Sequence, residues 1–293
     1  MIKIRNTLVI IVLLTVINMD TVTGLCLISE PHCKDYMRGL SSSGPVSSLP
    51  WEDTPEFIAF QDMYDVHVLL GGYRTVLLDP LPGEEYNVGN CSRYLRGTVL
   101  QAGDGFSFND KVGPYNKERG FMEGPTYAGT TLIKSTGGGV CKAATTLYNA
   151  VILGNLDIKE RYNHTMPVSY VEYGQDASVA YDYKDLKFVN NKLYPVLIWA
   201  ESIEDTLYIG IYGREKPPKV EWMHEASEIK APFTVYKNNP MLKPGEVREV
   251  VKGMEGRTVK SWLKITFEDG SEENRYMGIS IYEPLPCIVE LGR

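Results

Sequence analysis

One strongly helical segment stands among many short alternating ones, and this contrast limits the possible folds more than any other feature of the sequence. From Cys141 to Leu153, apolar residues recur at the spacing of one buried helix face, and Gly154 follows as a stop signal. The later runs YPVLIWAES and TLYIGIYG alternate polar and apolar residues, as antiparallel strands do. The pattern predicts an α+β fold in which a cysteine-bearing helix packs on an antiparallel sheet, followed by a small all-β module.

Composition changes along the 293-residue chain and indicates five segments. Residues 1–24 place two basic residues before a short apolar run, which is typical of a secretory signal peptide; an uncleaved membrane anchor is the alternative. Residues 25–55, rich in Ser, Gly and Pro, are expected to form a leader with little structure of its own. The core is predicted over residues 56–214, a double-proline linker over 215–227, and the β module over 228–293.

The formal net charge of −7 argues against a nucleic-acid partner, because such partners attract basic surfaces. Contact with a membrane is expected only if the N-terminal segment stays uncleaved. The sequence has no C-x-x-C metal pair and no phosphate-binding G-K-[ST] motif, so neither a metal nor another cofactor is predicted. The signal-like segment favours a secreted or cell-envelope location, outside the cytoplasm.

The stretch STGGGVCKAATTLYNAV brings three glycines to a cysteine at the predicted start of the helix. A helix N-terminus has unpaired N–H groups and a positive dipole end, which together favour a nucleophilic thiolate at Cys141. Backbone N–H groups from Val140 to Lys142 are candidates to stabilise an oxyanion. Residues Gly137, Gly138 and Gly139, which let a backbone approach a ligand closely, and the cationic Lys142 are predicted binding residues.

A cysteine nucleophile also needs a base, and His164 is the candidate on the run that follows the helix. This run and the next are predicted strands, so the histidine and the cysteine are expected to face each other across a packed layer. Asp176 is the first choice to orient the imidazole, with Asp182 and Asp185 as alternatives. The candidate catalytic residues are therefore Cys141, His164 and Asp176.

Two further residues and one competing interpretation complete the predicted site. Arg161 and Tyr170 are predicted to position an acidic or peptidic substrate. The competing interpretation is structural: Cys141 is a buried small side chain, or forms a disulfide bond with Cys91 or Cys287.

The blocks GTVLQAGDGFSFNDKVGP, GGGVCKAATTLYNAV, RYNHTMPVSYVEYGQDASVAY and DLKFVNNKLYPVLIWA resemble the VanW family and occur in that family's order within residues 73–213. Cys141, His164 and Asp176 fall on its most characteristic positions, whereas Lys142 replaces a usual Gln. The stretch PGEVREVVKGMEGRTVKSWLKITFEDGSEENRYM resembles a G5 module, which is often attached to cell-wall proteins.

These resemblances imply an exported cell-envelope protein, related to vancomycin-resistance accessory proteins, with peptidoglycan or another cell-wall polymer as its partner. In that setting the residues predict a Cys–His-dependent enzyme of the amidase or transpeptidase type, acting by acyl transfer or amide cleavage on peptidoglycan peptide. The alternative is a non-catalytic protein that binds cell-wall peptide or glycopeptide. The sequence leaves enzyme and binding protein open.

Overall fold

The computed structural model describes residues 43–78, 80–128 and 131–293. The predicted signal peptide and most of the predicted leader lie outside these residues. Within the described part of the chain, every helix is too short or too polar to cross a membrane.

Helices and strands are mixed up to Leu153, and only strands follow from Asp157 onwards. The helices are α1 Pro55–Tyr64, α2 Glu84–Leu95, α3 Phe108–Val112 and α4 Val140–Leu153. The strands are β1 Gly44–Pro45, β2 Val68–Val76, β3 Thr98–Leu100, β4 Gly105–Ser107, β5 Glu123–Ala128, β6 Thr131–Thr136, β7 Asp157–Glu160, β8 Lys187–Val189, β9 Val196–Ile203, β10 Thr206–Gly213, β11 Lys219–Lys230, β12 Thr234–Asn238, β13 Val247–Val251, β14 Gly256–Thr266, β15 Glu272–Tyr282 and β16 Cys287–Leu291. The predicted α+β fold with a β-rich C-terminal part is confirmed.

A five-stranded antiparallel sheet, in the order β1-β2-β10-β9-β3, forms the centre of the core. Helix α4 packs against β2 and β10, and α2 packs against β9 and α4. Leu147 and Val151 on α4 are fully buried in the same apolar cluster as Ile209 and Ile211 of β10. This burial stabilises α4 through tertiary packing, which matters more for a helix of this length than its intrinsic propensity.

The C-terminal module, residues 219–291, contains two three-stranded sheets with the orders β11-β14-β15 and β12-β16-β13. Strands β12 and β16 pair in parallel, and the other neighbours pair antiparallel. One face of the first sheet is buried against the core, because Leu263 and Ile265 of β14 belong to the same apolar cluster as α4.

The described end of the predicted leader is packed, contrary to the expectation of little structure. Trp51 is fully buried under α1, and its indole N–H donates to the Tyr212 hydroxyl at 2.9 Å. Phe57 packs edge-on against Trp199 in the same cluster. The burial of this segment was not predictable because its sequence has no periodic pattern. One large side chain is enough to anchor an irregular segment.

Most of the predicted linker is strand β11. Pro217 and Pro218 interrupt regular structure, but strand β11 begins directly after them, at Lys219. Beyond it, Val220 and Trp222 turn towards the core while Glu221 is exposed, which is the alternation of a half-buried strand.

The runs MPVSYVEY and ASVAYDY were predicted to be strands but lie in a loop, residues 161–186, that joins β7 to β8. One isolated bridge between Ala180 and Lys184 interrupts it. Pro167 lacks a backbone donor, and Gly174 has a φ of +90°, so neither position suits a strand. The alternation reflects side chains that are buried against α4 and the C-terminal module instead of a sheet partner. His164 and Asp176 are therefore loop residues.

Candidate active site

Cys141 is the second residue of α4, directly after a turn that only glycine fits. Gly139 caps the helix with a φ of +101°, and a Cβ atom there would lie 2.9 Å from Cγ of Glu84. The N–H groups of Val140 and Lys142 donate to the carbonyls of Gly137 and Gly139, at 3.2 and 2.9 Å. The helix therefore begins tightly, with its positive dipole end beside the thiol.

The 161–186 loop runs along one face of α4 and is hydrogen-bonded to it at regular intervals. Helix residues four apart meet loop residues two apart, because one helical turn and two residues of extended chain both span about 6 Å. The pairs are Cys141 Sγ with Val179 N–H at 3.4 Å, Thr145 Oγ1 with Ala177 N–H at 2.9 Å, and Asn149 Nδ2 with the Gln175 carbonyl at 2.8 Å. This register fixes the loop relative to the cysteine.

Within this loop, His164 and Asp176 meet at the thiol. The Nδ1 atom of His164 lies 2.6 Å from Oδ2 of Asp176, and the backbone N–H of His164 donates to the same oxygen at 2.7 Å. The charge of the His164 ring also acts on the Cys141 side chain and lowers the pKa of its thiol. Asp176 is 1% exposed, whereas the His164 side chain is 20% exposed and Cys141 is half-buried. The three candidate catalytic residues therefore form one interacting series, in which His164 and Asp176 are hydrogen-bonded.

The charges in this series stabilise one another. Burial alone would raise the pKa of the Cys141 thiol, but the hydrogen bond and charge of His164 outweigh burial and lower it. Burial alone would lower the pKa of His164, and Asp176 and Cys141 together raise it instead. The pKa of Asp176 falls to about 2, since His164 and Arg161 outweigh the effect of burial on its carboxyl. Both shifts favour a thiolate beside an imidazolium, and the thiolate is the reactive form of a cysteine.

Arg161 binds the side of Asp176 that faces away from His164. Its Nη2 atom lies 2.8 Å from Oδ1 of Asp176, and its Nε–H donates to the Asp176 carbonyl at 2.6 Å. Its other donors reach the Gly174 carbonyl and the hydroxyl of Ser280. The described contacts of Arg161 therefore lie within the protein, and its role in positioning a substrate stays a prediction.

Comparison with known families identifies the region that contains this site. The family model described as VanW-like protein matches residues 83–212, which include α4 and the whole 161–186 loop. Residues 83–212 belong to the VanW family. In this VanW domain the cysteine, the histidine and the aspartate all lie inside the matched region.

Two curated proteins resemble about half of the chain. An uncharacterized protein of Bacillus subtilis (strain 168), YoaR, is 32% identical over 146 residues, which are 50% of this chain and 48% of that protein. The vancomycin B-type resistance protein VanW of Enterococcus faecalis (strain ATCC 700802 / V583) is 25% identical over 176 residues, which are 55% of this chain and 64% of that protein. The chain thus spans about half to two thirds of the length of these relatives.

Two solved G5 structures also match part of the chain. The IgA1 protease G5 domain is 24% identical, with a TM-score of 0.17, and the match covers 28% of this chain and 98% of that domain. HP0197-G5 is 13% identical, with a TM-score of 0.15, over 25% of this chain and 99% of that structure. At TM-scores this low, neither match establishes a function for the C-terminal module.

Close packing explains the three consecutive glycines at positions 137–139. A Cβ atom on Gly138 would lie 2.3 Å from the carbonyl carbon of Gly124 in β5, so the two backbones touch. The Gly138 carbonyl accepts a hydrogen bond from Asn87 of α2 at 2.8 Å. A Cβ atom on Gly137 would lie 2.7 Å from Cβ of Tyr115. The glycines thus allow the start of α4 to pack closely against its neighbours, and their role in binding a ligand stays a prediction.

The other predicted binding residues, Lys142 and Tyr170, are neighbours beside Cys141. The Lys142 ammonium forms an ion pair with Glu84 at 2.5 Å and lies 5.4 Å from the Tyr170 ring centre. Tyr170 is buried. It also lines a cavity of about 230 Å³ that is bordered by β1, β2, α4, the 161–186 loop and Trp222 of β11. The positive charge of Lys142 is therefore already compensated.

The structure also bears on the alternatives that the sequence left open. Cys141 and Cys91 are both thiols, and Cys91 is buried in the core, so no disulfide bond joins them. Asp185 accepts hydrogen bonds from Ser107 and Asn109 at 2.6 and 2.9 Å, away from the imidazole. In the described residues, no group of three or more His, Cys, Asp and Glu side chains is arranged to hold a metal ion.

Two residues that hold the 161–186 loop in place were not predicted from the sequence. Thr145 lies one turn after Cys141, and that spacing was visible in the helical pattern. Tyr282, more than 100 residues after Asp176, donates its hydroxyl to Oδ1 of Asp176 at 2.5 Å. No sequence signal distinguishes it from the other tyrosines, because its partner is distant along the chain.

Proposed function

We propose that this protein is an exported cell-envelope enzyme that cleaves or transfers amide bonds in peptidoglycan peptide through Cys141. The observation that carries the proposal is the 2.6 Å hydrogen bond between His164 and Asp176, together with the effect of His164 on Cys141: the thiol pKa is lowered and the imidazole pKa is raised. A nucleophile, a base and a group that orients the base are the parts that covalent acyl transfer requires.

In the first half-reaction, the Cys141 thiolate attacks the carbonyl carbon of an amide, and a C–S bond forms. The N–H of Cys141 itself is the candidate oxyanion donor, since those of Val140 and Lys142 already donate within the helix start. The C–N bond then breaks, and the His164 imidazolium gives its proton to the leaving amine. The acyl group stays on the sulfur as a thioester.

In the second half-reaction, water or an acceptor amine attacks the thioester carbonyl. The neutral His164 imidazole takes the proton of this nucleophile, and the Cys141 thiolate leaves, which restores the starting ion pair. Water gives hydrolysis, and an amine gives transfer to a second peptide. Asp176 keeps the imidazole in one orientation throughout, through its bond to Nδ1.

The substrate class rests on the relatives of the VanW domain. One of them is a vancomycin B-type resistance protein, and vancomycin resistance concerns peptidoglycan and its precursors. The resemblance of the sequence PGEVREVVKGMEGRTVKSWLKITFEDGSEENRYM to G5 modules, which are often attached to cell-wall proteins, supports a place on the cell wall. The signal-like N-terminal segment agrees with export, although it lies outside the described residues.

The decisive experiment incubates the purified protein with peptidoglycan-derived muropeptides and follows products and acyl-enzyme by mass spectrometry. The wild type is expected to release an amine-bearing fragment and to carry a transient thioester on Cys141. Cys141→Ala should abolish turnover but retain binding, whereas the matched control Cys91→Ala, which removes a buried core thiol, should keep turnover. Binding without turnover in the wild type, unchanged by Cys141→Ala, would instead establish a non-catalytic cell-wall binding protein.

A further inference from the structure

Tyr282, in the C-terminal module, reaches the Cys141 site from the opposite side to α4. It is the last residue of β15 and is 1% exposed. Its hydroxyl donates to Oδ1 of Asp176 at 2.5 Å and accepts the N–H of Gly174 at 2.8 Å. Both partners belong to the 161–186 loop. The module therefore contacts the carboxylate that orients His164.

Further contacts hold the same loop against the module. Ser280, on the same face of β15 as Tyr282, accepts a hydrogen bond from Nη1 of Arg161 at 2.8 Å. The Thr165 carbonyl, next to His164, accepts the N–H of Glu283 at 2.8 Å. The loop segment that carries the histidine and the aspartate lies between α4 and the first sheet of the module.

The two oxygens of the Asp176 carboxylate have different hydrogen-bond partners. Oδ2 binds the ring and the backbone N–H of His164. Oδ1 binds Arg161 and Tyr282. A carboxylate that is bonded at both oxygens cannot rotate about its Cβ–Cγ bond without losing hydrogen bonds, and its geometry towards the imidazole is thereby fixed.

We propose that Tyr282 is a positioning residue of the Cys141 site, and that the C-terminal module completes this site by fixing the Asp176 carboxylate. The module is then part of the reactive centre in addition to any role in wall attachment. The inference rests on the proposed function only for its use in catalysis, because the positioning of Asp176 acts on the thiol whether or not a substrate is present.

The test measures the rate at which iodoacetamide alkylates Cys141 in the full chain as a function of pH, with the modified peptide identified by mass spectrometry. Tyr282→Phe removes only the hydroxyl. We expect the acid limb of the profile to move towards the ordinary thiol value by about half to one pKa unit, so that alkylation near pH 6.5 slows about threefold to tenfold. The other titratable groups around the series, unchanged in this variant, are Arg161, Tyr148, Tyr170, Tyr115 and Cys91.

Tyr276→Phe is the matched control, since Tyr276 lies on the same strand but is 54% exposed and packs on Trp262. Its profile should equal that of the wild type. An unchanged profile in a folded Tyr282→Phe protein, a shift in the opposite direction, or an equal shift in Tyr276→Phe would overturn the inference. Should Tyr282→Phe fail to fold, Ser280→Ala, which frees Arg161 from the module, is expected to give a smaller shift in the same direction, and no shift there counts against the inference.

The two proposals fail separately. A shifted profile in Tyr282→Phe together with no turnover of muropeptides by the wild type would remove the enzymatic proposal and keep the positioning role. Turnover by the wild type together with unshifted profiles in both Tyr282→Phe and Ser280→Ala would remove the positioning role alone.

Discussion

The two halves of the Cys141 site are built in opposite ways. Cys141 lies on α4, a helix whose side chains from Ala143 to Ile152 are all buried. His164 and Asp176 lie in the 161–186 loop, where strand pairing is limited to one isolated bridge and hydrogen bonds connect the polar groups to α4 and the C-terminal module. Apolar burial fixes the nucleophile, and polar contacts fix the charges that activate it.

This difference indicates that the position of the Cys141 thiol and its reactivity depend on separate parts of the molecule. Removing apolar volume from α4 should weaken the fold and leave the thiol pKa alone, as long as the protein is folded. Removing a polar group from the loop should change the thiol pKa as well as stability. Substitutions in the two halves can therefore test whether the position of the thiol and its pKa depend on separate parts of the molecule.

The largest effect is expected from Asp176→Asn. This change removes the charge that pairs with His164 and leaves the buried Arg161 cation without its carboxylate. Loss of one partner from a buried ion pair costs about 3–5 kcal/mol, and the imidazolium loses its main stabilising contact. Urea unfolding should show the destabilisation, and alkylation of Cys141 at neutral pH should slow because the thiol pKa rises.

Asp182→Asn is the control for this prediction. Asp182 is an exposed residue of the same loop with a φ of 61°, a conformation that asparagine tolerates. It should change neither stability nor the alkylation rate measurably. If Asp176→Asn destabilised the protein but left the rate at neutral pH unchanged, reactivity would not depend on the loop and the contrast between the two halves would be lost.

A somewhat smaller effect, on stability alone, is expected from Leu147→Ala. Leu147 is fully buried in α4, at the centre of the apolar cluster. Leu→Ala in a core costs about 2–5 kcal/mol through lost burial and the cavity that remains. Thermal or urea unfolding measures this loss, while the pH profile of Cys141 alkylation below the transition should match that of the wild type. A shifted profile would mean that packing of the helix also tunes the thiol.

The same contrast explains how much of the structure was predictable from the sequence. Helix α4 and strands β9 and β10 follow local periodicity, and their positions were predicted to within a few residues. The 161–186 loop alternates polar and apolar residues like a strand, but its partners are a helix face and a distant module. A periodic pattern reports which side chains are buried, and it does not report what covers them.

The candidate site was predictable to the same degree. The residue types and the helix start pointed to Cys141, and His164 and Asp176 were chosen as residues able to serve as base and orienting group. The contacts of Arg161 with Ser280 and of Tyr282 with Asp176 join residues more than 100 positions apart, so no local signal contained them. Lys142 was expected to act beside the thiol, but its partner Glu84 is also distant along the chain.

The smallest effect is expected from Lys142→Gln, and it tests whether the helix half contributes charge to the thiol. Lys142 is adjacent to Cys141, but its ammonium pairs with Glu84, and both side chains are largely buried. Glutamine can still donate to that carboxylate, so the stability cost should be about 1 kcal/mol. Because His164 rather than Lys142 is the main cause of the lowered thiol pKa, the alkylation rate at neutral pH should change less than about twofold, measured beside Lys184→Gln as the matched control in the same domain. If alkylation of Cys141 became tenfold slower in Lys142→Gln but not in the control, the helix would also activate the thiol. The two halves would then not have separate roles.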